Sequence, residues 1–134
     1  MIRYMLDTNT CISLIKQRPE AICVRLSGLD VASVAISSIV AAELWYGVAL
    51  FQKKKQNEAA LKDFLNFVTV LDWPAGACPV YAQIRAHLKK KGTPIGAMDL
   101  LIASHAAFQK SVLVTENTRE FDRVPDLSVE NWLA

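Results

Sequence analysis

Short apolar runs alternate with longer segments of helical periodicity along the 134 residues of the chain. The first run, residues 2–6, predicts a strand that stops at the carboxylate of Asp7. Further strands are predicted at residues 31–36, 68–72 and 112–114, with a last edge strand at 128–132. Strands that alternate with helices predict an α/β fold, a three-layer sandwich whose central sheet is mainly parallel and flanked by helices.

The intervening segments carry helix signals. The helix after Asp7 should end near Arg18, because a residue before proline avoids the helical region. Ser38 is a good N-cap for a helix over residues 39–50, which is apolar almost all the way round and is therefore expected to be buried, with Glu43 at least partly buried. The other predicted helices cover residues 20–29, a stripe through 61–68, residues 77–88, and residues 99–108.

Length and composition restrict the class of protein. At 52% hydrophobic and 21% charged residues, the chain is typical of one ordered globular domain over residues 1–134. Cys11, Cys23 and Cys78 are scattered without a C-x-x-C pair, which argues against a disulfide framework or a zinc site and favours a reducing cytoplasm. The net charge of +2 neither requires nor excludes a nucleic-acid partner.

One stretch approaches the length of a membrane span. Residues 31–51 contain Glu43 as their only charge. Ser37 and Ser38 divide the stretch into a β-branched half and a half rich in Ala, Leu and Trp, which indicates a strand, a turn and a helix. Asp7 also interrupts the N-terminal apolar run, so no secretion signal is predicted. We therefore expect a cytoplasmic protein without a membrane contact.

Acidic and polar side chains occur where strands end or helices begin: Asp7, Glu43, Asp99, and the pair Asn117 and Glu120. Each has an ordinary structural explanation, as a helix cap, a first-turn acid, an arginine partner or a solvated turn residue. In a parallel sheet, however, all of them fall at the carboxyl edge. Clustered carboxylates need a cation, and oxygen ligands without histidine suit Mg²⁺ or Mn²⁺. The sequence thus predicts an acidic metal pocket acting on phosphate esters.

Four blocks carry a family resemblance: residues 4–10 (YMLDTNT), residues 37–38 with 42–47 (AELWYG), residues 94–99 (PIGAMD) and residues 115–121 (TENTREF). In this order and at these separations, ending with Glu130-Asn-Trp132, they resemble the PIN-domain toxins of the VapC family over nearly the whole chain. The resemblance implies an Mg²⁺- or Mn²⁺-dependent endoribonuclease, the toxin of a type II toxin–antitoxin pair. It further implies tRNA cleavage, with initiator tRNA as the specific candidate.

The resemblance also assigns roles. Asp7 and Asp99 are implied as the main metal ligands, and Glu43 as the residue that holds a metal-bound water or acts as its base. Asn117 stands where many relatives have aspartate, so Glu120 is the candidate for a fourth carboxylate. The hydrogen-bonding residues predicted to orient these carboxylates are Thr8, Asn9, Ser38 and Thr115.

Two lysine runs are candidates for RNA phosphate contacts or for solvated helix ends: Lys53, Lys54 and Lys55, and Lys89, Lys90 and Lys91. The resemblance implies a homodimer and a cognate VapB-like antitoxin that places an arginine or lysine against the carboxylates, with DNA bound only through that antitoxin. His87 and His105 are predicted to lie outside the site.

Three other functions remain open from the residues. A receiver-like binding module is disfavoured, because no lysine follows the strand at residues 112–114. A degenerate PIN fold kept for interaction is disfavoured by Asp7, Glu43 and Asp99, but Asn117 leaves it open. A structure-specific DNA nuclease differs from the leading prediction only in its substrate.

Overall fold

A computed structural model describes residues 1–51 and 53–133 of the chain. Its centre is a five-stranded sheet in the order β3-β2-β1-β4-β5, and every neighbouring pair of strands is parallel. The strands are β1 (Tyr4–Leu6), β2 (Val34–Ser37), β3 (Thr69–Leu71), β4 (Val112–Val114) and β5 (Val129–Glu130). The predicted α/β architecture with a parallel central sheet is confirmed.

Helices connect the strands and flank the sheet. They are α1 (Thr8–Lys16), α2 (Glu20–Ser27), α3 (Ser38–Leu50), α4 (Lys54–Phe67), α5 (Cys78–Lys90), α6 (Ala97–Gln109) and the short α7 (Thr118–Phe121). The chain moves outward from β1 to β3 and then returns to β4 through α5 and α6. Because parallel crossovers are right-handed, this reversal places α5 and α6 on the face opposite the earlier helices. Strand order also reverses at β1 and β4, the position where ligands gather in open α/β sheets.

The core lies between the sheet and the helices. The central strands β1, β2 and β4 are largely buried and read as nearly continuous apolar runs, because helices cover both of their faces. The largest fully buried side chains include Phe121, Met5, Leu6, Ile36, Ile102 and Leu113. Trp132 closes the β5 edge, where its ring meets the ring of Tyr4 edge-on at 5.2 Å between centroids.

Several element ends differ from the sequence prediction. Residues Val31–Ser33, predicted as strand, form a 3₁₀ turn in which the Asp30 carboxylate accepts from the Ala32 amide. Helix α3 begins at Ser38 rather than after it, so the N-cap is Ser37, whose hydroxyl accepts from the Ile39 amide at 3.1 Å. Residues Thr118–Phe121, for which no helix was predicted, form α7. Each shift is local, since a cap or a 3₁₀ turn leaves the hydrophobic pattern unchanged.

The prediction that α3 is buried on all sides is wrong for this chain. Val40, Leu44 and Val48 form the buried stripe of the helix. Tyr46 and Leu50, on the other side, are 65% and 62% exposed. The apolar composition of α3 therefore exceeds what packing within one chain requires.

None of the helices in the described residues is long and apolar enough to cross a membrane. The apolar stretch at residues 31–51 is divided between a 3₁₀ turn, β2 and α3. This agrees with the division at Ser37 and Ser38 that the sequence predicted.

Leu113→Ala tests how strongly the central strands support the fold. Leu113 is fully buried in β4, between β1 and β5. We expect the truncation to lower the free energy of unfolding by about 2–5 kcal/mol, through lost burial and the cavity left behind. Val24→Ala, at an exposed α2 position, is the control and should change it by less than about 0.5 kcal/mol. Urea unfolding measures both, and equal effects would contradict this description of the core.

His105 makes stability depend on pH. It is buried, its Nδ1 lies 2.8 Å from the Ser37 hydroxyl, and burial lowers its pKa below the usual value of 6.5. The unfolded chain therefore binds a proton on this group at a higher pH than the folded chain does. This contribution to stability is complete above pH 6.5 and is lost as the pH falls through the lowered pKa.

The measurement is urea unfolding of the parent protein and of His105→Gln between pH 7.5 and 5. The parent should lose stability relative to His105→Gln as the pH falls. The same exchange at half-exposed His87 controls for the loss of a histidine. A stability difference between parent and His105→Gln that stays constant over this range would exclude the mechanism.

Candidate functional site

The carboxylate of Asp7 lies at the carboxyl end of β1, where the strand passes directly into α1. It caps α1 by accepting from the Thr10 amide at 2.9 Å, and its second oxygen accepts from the Thr115 hydroxyl at 2.5 Å. Only 5% of Asp7 is exposed. Burial raises its pKa, the bonds from Thr115 and Thr10 lower it, and the negative charge of Glu116 raises it further. Asp7 is thus an oriented carboxylate in a partly desolvated place.

Glu43 reaches this edge from α3. It is half-buried, and its Oε1 accepts from the Thr8 hydroxyl at 2.5 Å. Thr8 is the first residue of α1 and Glu43 lies near the middle of α3, so this bond joins the start of α1 to the middle of α3 beside Asp7. One oxygen of Glu43 is therefore held by Thr8, and the other has no partner of this kind among the described residues.

Asp99 enters from the first turn of α6, two residues inside the helix and not at its N-cap, which is Gly96. The pKa of Asp99 is raised to about 7, chiefly by burial and then by the charge of Glu120, a hydrogen bond with Glu120, and the charges of Glu43 and Asp7. Three carboxylates from three other segments, Glu120, Glu43 and Asp7, thus act electrostatically on Asp99. This electrostatic interaction between Asp99 and the other three carboxylates is the strongest indication that all four belong to one site.

Glu120 and Asn117 come from the segment after β4. The Asn117 side-chain amide donates to Glu120 Oε2 at 2.5 Å, and the Gly96 amide donates to Glu120 Oε1 at 3.3 Å. Asn117 therefore orients Glu120, and Glu120 contacts the loop that leads to Asp99. Of the two residues that the sequence offered for a fourth position, Glu120 is the one whose charge acts on Asp99.

The predicted orienting residues differ in what they touch. Thr8 and Thr115 donate directly to Glu43 and Asp7. Ser38 instead accepts from the Trp73 amide at 3.0 Å, which ties the chain beyond β3 to the start of α3. Asn9 is exposed on α1, and its side chain makes no hydrogen bond within the described part of the chain.

Three residues that support the site, Thr10, Ser13 and Glu116, were not predicted from the sequence. Thr10 is buried and also donates from its hydroxyl to the Val114 carbonyl at 3.3 Å, which links α1 to β4. Ser13 donates to Glu116 at 2.6 Å, and Glu116 acts electrostatically on Asp7. The position of Thr10, three residues after a capping Asp, was the available signal. The contact of Ser13 with Glu116 joins positions 103 apart in sequence and leaves no local signal.

The six lysines of the two runs are exposed. Lys54 and Lys55 begin α4, and Lys53 precedes it. Lys89 and Lys90 end α5, and Lys91 is its C-cap. His87 and His105 both lie outside the group of residues that affect Asp99.

The donors at this edge are carboxylate oxygens, the type of ligand preferred by Mg²⁺ and Mn²⁺. Among residues 1–51 and 53–133, no three His, Cys, Asp or Glu side chains stand close enough to form a metal-binding group as they are placed. The charges of Glu120, Glu43 and Asp7 nevertheless raise the pKa of Asp99. The donor chemistry and the excess of negative charge both fit a divalent cation, which would draw these side chains together.

Comparison with known proteins agrees with this arrangement. Residues 4–127 match the PIN domain family. The chain is 45% identical to ribonuclease VapC2 of Rickettsia felis over 96% of this chain and 97% of the relative. It is 43% identical to the tRNA(fMet)-specific endonuclease VapC of Salmonella typhimurium, over 98% and 99% of the two chains.

A solved structure extends the likeness to three dimensions. The chain superimposes on VapBC2 of Rickettsia felis, crystallised with a DNA fragment from its promoter, with a TM-score of 0.93 and 45% identity over 98% of this chain and 99% of that one. The parallel sheet, the order of the four sequence blocks and these matches lead to one conclusion. This chain belongs to the PIN-domain family and, within it, to the VapC ribonucleases.

Proposed function

We propose that this chain is a divalent-metal-dependent endoribonuclease, the toxin of a type II toxin–antitoxin pair, and that residues 1–134 form one PIN domain. The observation that carries the proposal is the electrostatic coupling of Asp99 to Glu120, Glu43 and Asp7 at the carboxyl edge of the sheet. Carboxylates brought together in this way need positive charge, and a hard cation can both satisfy them and activate a phosphodiester. Mg²⁺ or Mn²⁺ is the cation that we propose.

In this proposal Asp7 and Asp99 hold the metal. A bound Mg²⁺ or Mn²⁺ supplies Lewis acidity toward the scissile phosphate and makes water more acidic. Thr115 and Thr10 keep the Asp7 carboxylate in one orientation. Asp99 must be ionised to act, and added positive charge favours that form.

Glu43 is proposed as the base. Thr8 fixes one of its oxygens, so the other is free to accept a proton from the attacking water. Glu120, oriented by Asn117, adds negative charge beside Asp99 and supplies the fourth acidic position. Asp7 lies at a strand end, Asp99 in the first turn of α6 and Glu43 near the middle of α3, so regular elements hold these side chains without a long loop.

The substrate that we propose is tRNA, with initiator tRNA as the specific candidate, because the Salmonella relative is named as a tRNA(fMet)-specific endonuclease. The partner is a VapB-like antitoxin, since structures of relatives contain VapBC complexes. An arginine or lysine of that antitoxin would satisfy the same carboxylates in place of the metal. DNA contact would then come through the antitoxin. Exposed Tyr46 and Leu50 on α3 supply apolar surface for a subunit contact in a cytoplasmic homodimer.

Asp7→Asn is the first test of this function. Asparagine can still accept from the Thr10 amide, so we expect the cap and the fold to remain, while the lost charge removes a metal ligand. Metal-dependent cleavage of purified total tRNA should fall about a hundredfold or more, because changes in the residues around metal ligands alone often cost about 10- to 100-fold.

Cleavage is mapped by end sequencing with Mg²⁺, Mn²⁺ or EDTA, on protein freed of antitoxin and shown to be folded by circular dichroism. A discrete cut in the parent that disappears in Asp7→Asn supports the proposal. Full cleavage by folded Asp7→Asn would refute the site. Cleavage of structured DNA but not RNA would favour the DNA nuclease.

Glu120→Gln tests the coupling directly. Without the charge of Glu120, the pKa of Asp99 should fall below the value of about 7 that it has in the parent. The Asp99 carboxyl should therefore ionise at a lower pH in the variant. Titration of the ¹³C-labelled carboxyl by NMR in metal-free protein measures this, and Glu58→Gln on α4 is a control for general charge loss. Identical Asp99 midpoints in the parent and Glu120→Gln would show that the two groups are independent.

A further inference from the structure

A groove of about 400 Å³ runs along α5 beside the start of α6. Apolar side chains form its floor, and cationic and aromatic side chains form its wall. The lining residues that matter here are Tyr81, Arg85, Leu88, Lys89, Ile95 and Leu100. None of them belongs to the carboxylate site described above.

A short stretch of backbone connects the groove to the carboxylate site. The loop at residues 91–96 joins the end of α5 to the start of α6, so these two helix ends lie at the same edge of the sheet as Asp99. Ala97 and Leu100, which also line the groove, flank Asp99 in the first turn of α6. The Gly96 amide in the same loop contacts Glu120. An extended ligand that lay in the groove would therefore reach the carboxylates directly.

Two cations stand on the wall of the groove, one helical turn apart. Arg85 and Lys89 are four residues apart on α5 and share one face of the helix. Both are exposed. The ion pairs in residues 1–51 and 53–133 join Arg25 to Glu130 and Lys62 to Glu58, so no acid of the described chain neutralises either groove cation.

The guanidinium of Arg85 is held in place. Its Nη1 donates to the Tyr81 hydroxyl at 2.8 Å, and its central carbon lies 5.9 Å from the centre of the Tyr81 ring. Tyr81 in turn packs edge-on against Trp73 at 6.5 Å, and the Trp73 indole donates to the Leu101 carbonyl at 2.9 Å. An arginine uses only one of its five donors in such a contact, so the rest of the fork can bind a phosphate.

The carboxylate site by itself repels a polyanion. A phosphodiester chain can approach four acids only where positive charge compensates for them. The apolar floor formed by Leu88, Ile95 and Leu100 suits the face of a ribose or an unstacked base from an RNA loop. At the other lysine run, the described residues that line the surface depression are Lys53, Lys54, Lys55 and Gln56, none of them aromatic or apolar.

We propose that Arg85 and Lys89 bind backbone phosphates of the RNA strand on its way to the carboxylate site, and that Tyr81 is the positioning residue for Arg85. This inference rests on the ribonuclease function proposed above. It assigns the RNA contact to the α5 surface rather than to the start of α4. The contact is with the sugar-phosphate chain, so it sets affinity and register and does not read base identity.

Binding is measured in the Asp7→Asn background, where the RNA is not cut, with a fluorescent single-stranded RNA oligonucleotide and with bulk tRNA at several KCl concentrations. Arg85→Gln combined with Lys89→Gln should weaken binding at low salt about tenfold or more. It should also reduce the slope of log affinity against log salt by about 1.4, since each phosphate contact to a single strand contributes about 0.7. Lys53→Gln combined with Lys54→Gln removes the same charge and should leave the slope unchanged.

Two further variants separate positioning from charge. Arg85→Lys keeps the cation and should retain the salt slope. Tyr81→Phe keeps the ring but loses the acceptor for Arg85. In the cleaving protein, Tyr81→Phe and the Arg85/Lys89 pair should raise KM with kcat unchanged, because these side chains lie away from the reacting atoms.

The outcomes are distinct. Equal slopes for the Arg85/Lys89 variant and the parent, or equal loss in the Lys53/Lys54 control, overturn the groove proposal while tRNA cleavage by the parent leaves the ribonuclease function standing. A parent that neither binds nor cuts RNA overturns both. Variants whose antitoxin affinity or oligomeric state changes while RNA binding does not would show that the groove contacts protein, and would also overturn the proposal.

Discussion

The Asp7 carboxylate accepts one hydrogen bond from the Thr10 amide and another from the Thr115 hydroxyl, and these two bonds join the ends of β1 and β4 to the start of α1. Thr10 adds a third link by donating to the Val114 carbonyl. The constraint behind them is the parallel sheet, whose strands all end at one edge. A carboxylate buried at that edge needs donors, and the neighbouring strand and helix supply them. Stability and placement of the site therefore depend on the same contacts.

Around this centre, hydrogen bonds between distant segments hold the other acids in place. Thr8 fixes Glu43 from α1, and Asn117 fixes Glu120 from the segment after β4. The buried contact between His105 and Ser37 ties α6 to the start of α3, and Ser38 holds the chain beyond β3 through Trp73. The contacts of His105 with Ser37 and of Ser38 with Trp73 do not involve the carboxylates themselves. They keep the helix starts in register, which is what an arrangement of charges needs in order to persist in the folded protein.

The distribution of charge separates two tasks on one edge of the molecule. The charges of Glu120, Glu43 and Asp7 act on Asp99 in the first turn of α6, while Arg85 and Lys89 line the adjoining groove on α5. The acids attract a metal cation and repel the RNA phosphates, whereas Arg85 and Lys89 attract the phosphates and repel a metal cation. The loop at residues 91–96 keeps the two regions in contact. A ribonuclease needs both, because the metal must be held tightly and the strand must still be brought to it.

The sequence alone determined the strand and helix order, the parallel sheet and the identity of the acids, because these follow from hydrophobic period and from where each apolar run stops. Asp7 could be placed at a strand end, and residues 94–99 and 115–121 carried the family resemblance. Local pattern could not place the N-cap at Ser37 rather than Ser38, nor distinguish a 3₁₀ turn at Val31–Ser33 from strand, since both preserve the same buried positions.

Only the tertiary structure decided which side chains meet. The contacts of Ser13 with Glu116, Thr8 with Glu43 and Glu120 with Asp99 join residues far apart in sequence, and no local signal encodes them. It also decided that α3 exposes Tyr46 and Leu50 and that Arg85 faces a groove beside Asp99. The type of each residue determines which interactions its side chain is able to make. The packing of the whole chain decides its partners, because desolvation and charge act through space and not along the sequence.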